Sequence, residues 1–147
     1  MNVNPFDPKS ILLAKHAQHV VLIHFPIALF IMGACFDFIA ARTKNPALQV
    51  AAYYNIAWAA VFTIPVIVTG LLAWHFALEG ASLKGILLWH LLAAVTATVL
   101  IATVARLHLR SHREKTTLPA WRLPLEAVTV LVIGLTAHLG GFLSGVN

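Results

Sequence analysis

Four apolar runs constrain this chain more than anything else in it. Residues 20–41, 51–78, 85–105 and 123–143 are each long enough to cross the hydrocarbon core of a bilayer as a helix, which takes about 20 residues. The second and third contain no Asp, Glu, Lys or Arg, the first only Asp37 and the last only Glu126. Of the 147 residues, 60% are hydrophobic and 10% charged, where a soluble domain carries about a quarter charged. So few charges leave too much apolar surface for water, and lipid has to serve as the solvent. Spans of this length satisfy their backbone polar groups in lipid by forming helices. The expected fold is all-α, an integral membrane four-helix bundle occupying residues 20–147 as one domain.

Residues 1–19 form a separate segment. Ile11, Leu12, Leu13, Ala14 and Ala17 alternate with Lys9, Lys15, His16, Gln18 and His19, a mixture that suits a short amphipathic helix in the membrane interface. Pro26 pushes Phe25 away from helical geometry, so a bend is expected near His24. The N-terminus lacks the basic start and early apolar core of a cleaved signal peptide, so the first span is expected to stay in the mature protein. Cys35 is the single cysteine and forms no internal disulfide.

The ten Lys and Arg residues cluster between the spans, which points to topology and not to nucleic acid. Arg42, Lys44, Arg106, Arg110, Arg113, Lys115 and Arg122 lie on one side; Lys9, Lys15 and Lys84 lie on the other. The positive-inside rule puts the richer side in the cytoplasm. In a bacterial inner membrane both termini then face the periplasm.

Histidines mark the opposite side. His24 is four residues inside the first span, His75 three from the end of the second, His90 five inside the third and His138 five from the end of the fourth. At about 1.5 Å of rise per residue these rings share one depth to within a few ångströms. His16 and His19 lie just above, and His108 and His112 are assigned to the basic loop, which leaves the cytoplasmic half of the membrane without histidine. By default, a histidine near an interface is an amphipathic residue with a hydrogen-bond partner. One from each of four helices at one level is the pattern by which helix bundles build cofactor sites. Imidazole suits zinc, copper, nickel and iron, and haem iron accepts two axial histidines. No carboxylate or thiolate accompanies the layer, which favours haem over zinc or copper. Phe25, Trp74, Phe76, Trp89 and Phe142 are available to line a macrocycle, although an aromatic belt accounts for the tryptophans equally well. Gly140 and Gly141, directly after His138, either admit a ligand or neighbouring helix or end the last helix. Asp37, Arg42, Arg106 and Glu126 read as interfacial charges or salt bridges at helix ends, with a quinone or proton site as the secondary reading, and Asn55, Pro65 and Thr69 as packing and shape residues.

The stretch His19-Val-Val-Leu-Ile-His24-Phe25-Pro26-Ile27-Ala28-Leu29 resembles the signature of a bacterial four-helix membrane family, domain of unknown function 2231. Val20 stands where that family usually has proline. Residues 69–74, His90 and His138-Leu139-Gly140-Gly141 also resemble its pattern, while the later His-Gly-Val of many members is here Ser144-Gly145-Val146. The resemblance implies a cytochrome b-like membrane protein acting near c-type cytochromes and membrane oxidoreductases.

Taken together, these features lead to an expected b-type cytochrome-like subunit of a respiratory or photosynthetic electron-transfer complex, with haem b near the periplasmic face and quinone as an optional second cofactor. In an up-down bundle the diagonal pairs are His24 with His90 and His75 with His138. The first is preferred as the axial pair because both members match the family pattern; the second is the alternative, with His19 as a subsidiary candidate ligand. The expected partners are other membrane subunits and a periplasmic c-type cytochrome or redox domain. With no histidine in the cytoplasmic half, electron exchange is expected at the outer face only. Two rival readings are a copper- or zinc-handling protein using His16 and His19, and a purely structural anchor. No nucleophile–base pair lies near the histidines, so the chain is not expected to be an enzyme. For topology, a reporter fused after Asn147 should fall outside the cytoplasm and one near Lys115 inside it; the reverse result would invert the assignment.

Overall fold

The computed structural model describes residues 15–145, with side chains from residue 17 onward. Helices α1 (Lys15–Leu22) and α2 (His24–Thr43) meet at Ile23. The interruption falls immediately after Leu22 because Pro26 has no N–H to offer the Leu22 carbonyl and its ring crowds that oxygen. Ile23 nevertheless keeps helical torsions (φ −59°, ψ −27°), so the two pieces form one span from Ala17 to Thr43. Phe25 therefore stays helical, contrary to expectation, because Pro26 lies in the first turn of α2, where a missing donor is tolerated. Of the interfacial segment expected over residues 8–19, residues 8–14 lie outside the described part. Residues 15–19 belong to α1, which packs on α3.

Helix α3 (Pro46–Leu72) starts five residues before the second apolar run. Asn45 accepts the Ala47 N–H at 2.9 Å and Pro46 occupies the first helical position, which together define a helix start. A π turn, Ala73–Ala77, ends it, with the Leu78 N–H bonded to the Ala73 carbonyl at 3.1 Å. The Trp74 indole N–H then holds the Ala81 carbonyl at 2.9 Å across the turn. Helix α4 (Gly85–Glu114) runs nine residues past the expected end at 105, and α5 (Arg122–Leu143) matches its span within a residue. No strand occurs among the described residues.

The helices form a ring in which α3 packs on α2, α4 on α3 and α5 on α4, with sparser contact closing α5 onto α2. Neighbours are antiparallel: His19 meets Thr69, Phe25 stacks on Phe62 and Gly33 faces Ile56, so numbers rise on α1–α2 as they fall on α3. The core is Phe30, Ile56, Ala59, Ala97, Ile101, Val104 and Ile133, where alanines bring the backbones close. Large apolar side chains such as Ile64, Val95, Val99 and Leu131 cover the outside. Four helices of 27, 32, 30 and 22 residues are long and apolar enough to cross a membrane.

The α2–α3 crossing is tightest at Gly33, where an added Cβ would lie 2.7 Å from Ile56 Cγ1 and 3.2 Å from the Ile56 backbone nitrogen. Replacing Gly33 by Ala should lower stability by about 1–3 kcal/mol, the usual cost of overpacking. Thermal unfolding in detergent measures this, and an unchanged midpoint would show that the crossing has slack.

Candidate functional site

The histidine end is half open. His90 is half-buried, while His24, His75 and His138 are exposed on the single chain, so the four rings do not converge in the bundle interior as expected. His75 leaves with the π turn, whose wider winding turns residues away from the positions a continued α-helix would give them. Its ring lies edge-on to Phe76 at 4.7 Å, and His138 sits likewise against Phe142 at 4.9 Å.

His24 and His90 are fixed differently. The His24 Nδ1 lies 2.7 Å from the Val20 carbonyl and the His90 Nδ1 3.1 Å from the Thr136 carbonyl. Since a carbonyl only accepts, each Nδ1 carries a proton, and in the neutral ring Nε2 holds the lone pair. His19 Nδ1 bonds the Thr69 hydroxyl at 3.2 Å, tying α1 to α3. Glycines make room for these rings. An added Cβ would come within 3.1 Å of the His90 ring at Gly140 and within 3.0 Å of the His19 ring at Gly70, whereas Gly141 faces open space. Of the expected aromatic lining, Phe25, Phe76, Trp89 and Phe142 are exposed, as an aromatic belt would be.

The basic end holds what the sequence reading missed. His108 lies on α4, well inside its end at Glu114, and not in a loop. Its Nε2 is 2.9 Å from Glu126 Oε1. Beside it, Arg122 grips Asp37 with two bonds, Nε to Oδ2 at 2.6 Å and Nη2 to Oδ1 at 3.2 Å. The Arg122 Nη1 also donates to the Leu118 and Pro119 carbonyls at 3.4 and 3.2 Å. Fractional exposures of 1% for Asp37, 2% for Glu126, 3% for His108 and 8% for Arg122 show that water is shut out. The half of the bundle thought free of histidine thus contains one in its sealed interior. Arg42 and Arg106, grouped with Asp37 and Glu126 on the sequence, are both exposed; Arg42 lies over the Phe38 ring at 4.8 Å.

One sequence signal would have found His108. The buried face of α4 runs Ala93, Ala97, Ile101, Val104, His108, a helical spacing that carries straight past the charge at Arg106. Arg122, Glu126, Thr129 and Ile133 keep the same rhythm on α5, and Phe30, Gly33, Asp37 and Ala40 on α2. Among the described residues, Asp37, His108 and Glu126 form the one group of three or more potential metal ligands whose donor atoms converge, all within 4.8 Å of one another.

Fold and composition together define an all-α membrane protein with four candidate spans. The family model for domain of unknown function 2231, described as a predicted membrane protein, matches residues 15–146. The chain belongs to that family. No curated protein and no solved structure matches it.

Removing one partner of a buried ion pair strands the other charge, at a cost of about 3–5 kcal/mol. Asp37→Leu or Arg122→Met alone should therefore destabilise the protein by that order, and the double variant by less than either. Unfolding in detergent with all three variants measures the coupling; strictly additive losses would mean that the two groups act independently.

Proposed function

We propose that this chain is a membrane subunit that holds haem b through histidines at its lysine- and arginine-poor end and relays single electrons within a larger electron-transfer complex. The observation that supports it is the state of His24 and His90. Both rings are anchored through Nδ1–H on backbone carbonyls, 2.7 Å to Val20 and 3.1 Å to Thr136. Anchoring of this kind sets the ring angle and raises the basicity of the other nitrogen in metal-ligating histidines. Nε2 of each is then the donor that a haem iron accepts, so the donor chemistry fits the group.

When bound, haem supplies a reversible one-electron centre. The chain's contribution is to aim the two imidazoles and to keep their tautomer. Gly140 admits the His90 ring close to α5, where an added Cβ would press on that ring at 3.1 Å. His75 and His138, exposed on the π turn and on α5, are the alternative pair, accessible to haem on the outside of the bundle or at a joint with another subunit. Exchange partners at this end are a periplasmic c-type cytochrome or redox domain and neighbouring membrane subunits, with quinone reaching the site from the bilayer. At the basic end His108 is bonded to Glu126 and His112 stacks on Tyr53 at 4.2 Å, which supports a relay confined to the other side.

Reduced-minus-oxidised spectra of the purified protein should show a b-type signal, since no Cys-x-x-Cys-His is present to attach haem covalently. His24→Ala or His90→Ala should abolish or strongly diminish it. Unchanged haem content in both would transfer the assignment to His75 and His138. A colourless protein that takes up copper or zinc at this end would replace the haem reading with metal handling, and one that binds neither would leave a structural anchor.

A further inference from the structure

The buried cluster at the basic end has more polar capacity than its own bonds use. Glu126 Oε2 is buried and has no hydrogen-bond partner among the described residues. Leaving a buried carboxylate oxygen unmatched costs the full desolvation of that group. Both oxygens of Asp37 are engaged by Arg122, yet each carboxylate oxygen has two lone pairs, so Asp37 keeps acceptor capacity while its fork is held. His108 presents Nε2 to the same point. Three helices thus aim one nitrogen and two carboxylates into a volume closed to water.

We propose that Asp37, His108 and Glu126 form a binding site for one divalent first-row transition metal ion, of which Zn2+ is the simplest. Bond lengths agree with this. Ligands held at about 2.1 Å from zinc lie about 3.0–3.4 Å apart for angles between a right angle and the tetrahedral value, and His108 Nε2 lies just inside that range, 2.9 Å from Glu126 Oε1. The full set lies within 4.8 Å, so drawing it onto a tetrahedral ion takes side-chain shifts of at most about 1.4 Å. One imidazole with two carboxylates is a borderline donor set, softer than the all-oxygen cages of Ca2+ and Mg2+. Asp37, Glu126 and Arg122 together carry one net negative charge, which favours a cation here, and Arg122 supports Asp37 from the first turn of α5, as outer-shell partners of metal ligands do. The unmatched Glu126 oxygen finds its partner in the ion. Such a site would lock α2, α4 and α5 together at one end of the bundle, independently of any cofactor at the other.

Co2+ is the probe, since its d–d absorption reports on ligand geometry. The chelator-treated full chain in detergent should bind Co2+ at one site with a low-symmetry spectrum, and Zn2+ should displace it and raise the unfolding temperature. Glu126→Gln, which retains the shape and a hydrogen bond to His108, should weaken that site at least tenfold, while the His24→Ala/His90→Ala variant should leave it intact. Should Glu126→Gln fail to fold, X-ray absorption on the Zn2+-loaded His24→Ala/His90→Ala protein decides, with one imidazole and the rest oxygen ligands expected. A site lost with His24 and His90, one kept in full by Glu126→Gln, a ligand shell of several imidazoles, or no Co2+ uptake by the wild type would each overturn the proposal and leave an ion-pair network only.

Discussion

A charge inside an apolar bundle has to be matched by another, and the basic end of this protein is organised by that requirement. Asp37 comes from α2, His108 from α4, and Arg122 and Glu126 from the first turns of α5. The α2–α5 seam is the sparsest helix contact that closes the ring, and the Asp37–Arg122 fork crosses it. Where few side chains interlock, two charge-assisted bonds in a medium that screens poorly supply the closure. Arg122 also satisfies the carbonyls of Leu118 and Pro119, so the same guanidinium fixes the path by which the chain enters its last helix.

The two ends of the bundle do different things with the same residue type. At the basic end His108 is sealed in and spends its Nε2 on Glu126. At the other end His24 and His90 spend Nδ1 on backbone carbonyls, which leaves Nε2 as the donor nitrogen. The Nε2 of His108 is thus held against a carboxylate, whereas His24 and His90 are held through Nδ1. Glycines bring two rings close to the backbone: an added Cβ would lie 3.1 Å from the His90 ring at Gly140 and 3.0 Å from the His19 ring at Gly70.

Much of this was legible in the residues. The spans followed from the cost of unsatisfied backbone in lipid, and α5 begins and ends within a residue of its apolar run. Asn45-Pro46 carried a helix start that the hydropathy pattern placed five residues late. The third span was cut short at Ala105 because a run of charges follows, yet Arg106, Arg110 and Arg113 are exposed while His108 keeps the buried phase. Charge content measures how much of a helix is in lipid; only the phase of the buried positions tells which charges are inside. The π turn at Ala73–Ala77 left no comparable mark, since it contains no proline, glycine or charged residue to signal it.

The sequence by itself determined that the chain is a four-span membrane protein, because apolar length and sparse charge admit no other solvent. It also determined that six of the eight histidines gather at one end and seven of the ten Lys and Arg at the other, since depth along a helix is set by residue count alone. Only the tertiary structure decided which of those groups meet. Azimuth around each helix, the partner helix it faces and the slip of a π turn separated the exposed His75 and His138 from the anchored His24 and His90. The same factors joined Asp37 to Arg122 across 85 residues of chain. A pair so far apart in sequence is chosen by how the helices close into a ring, and that closure is a property of packing that no single span carries.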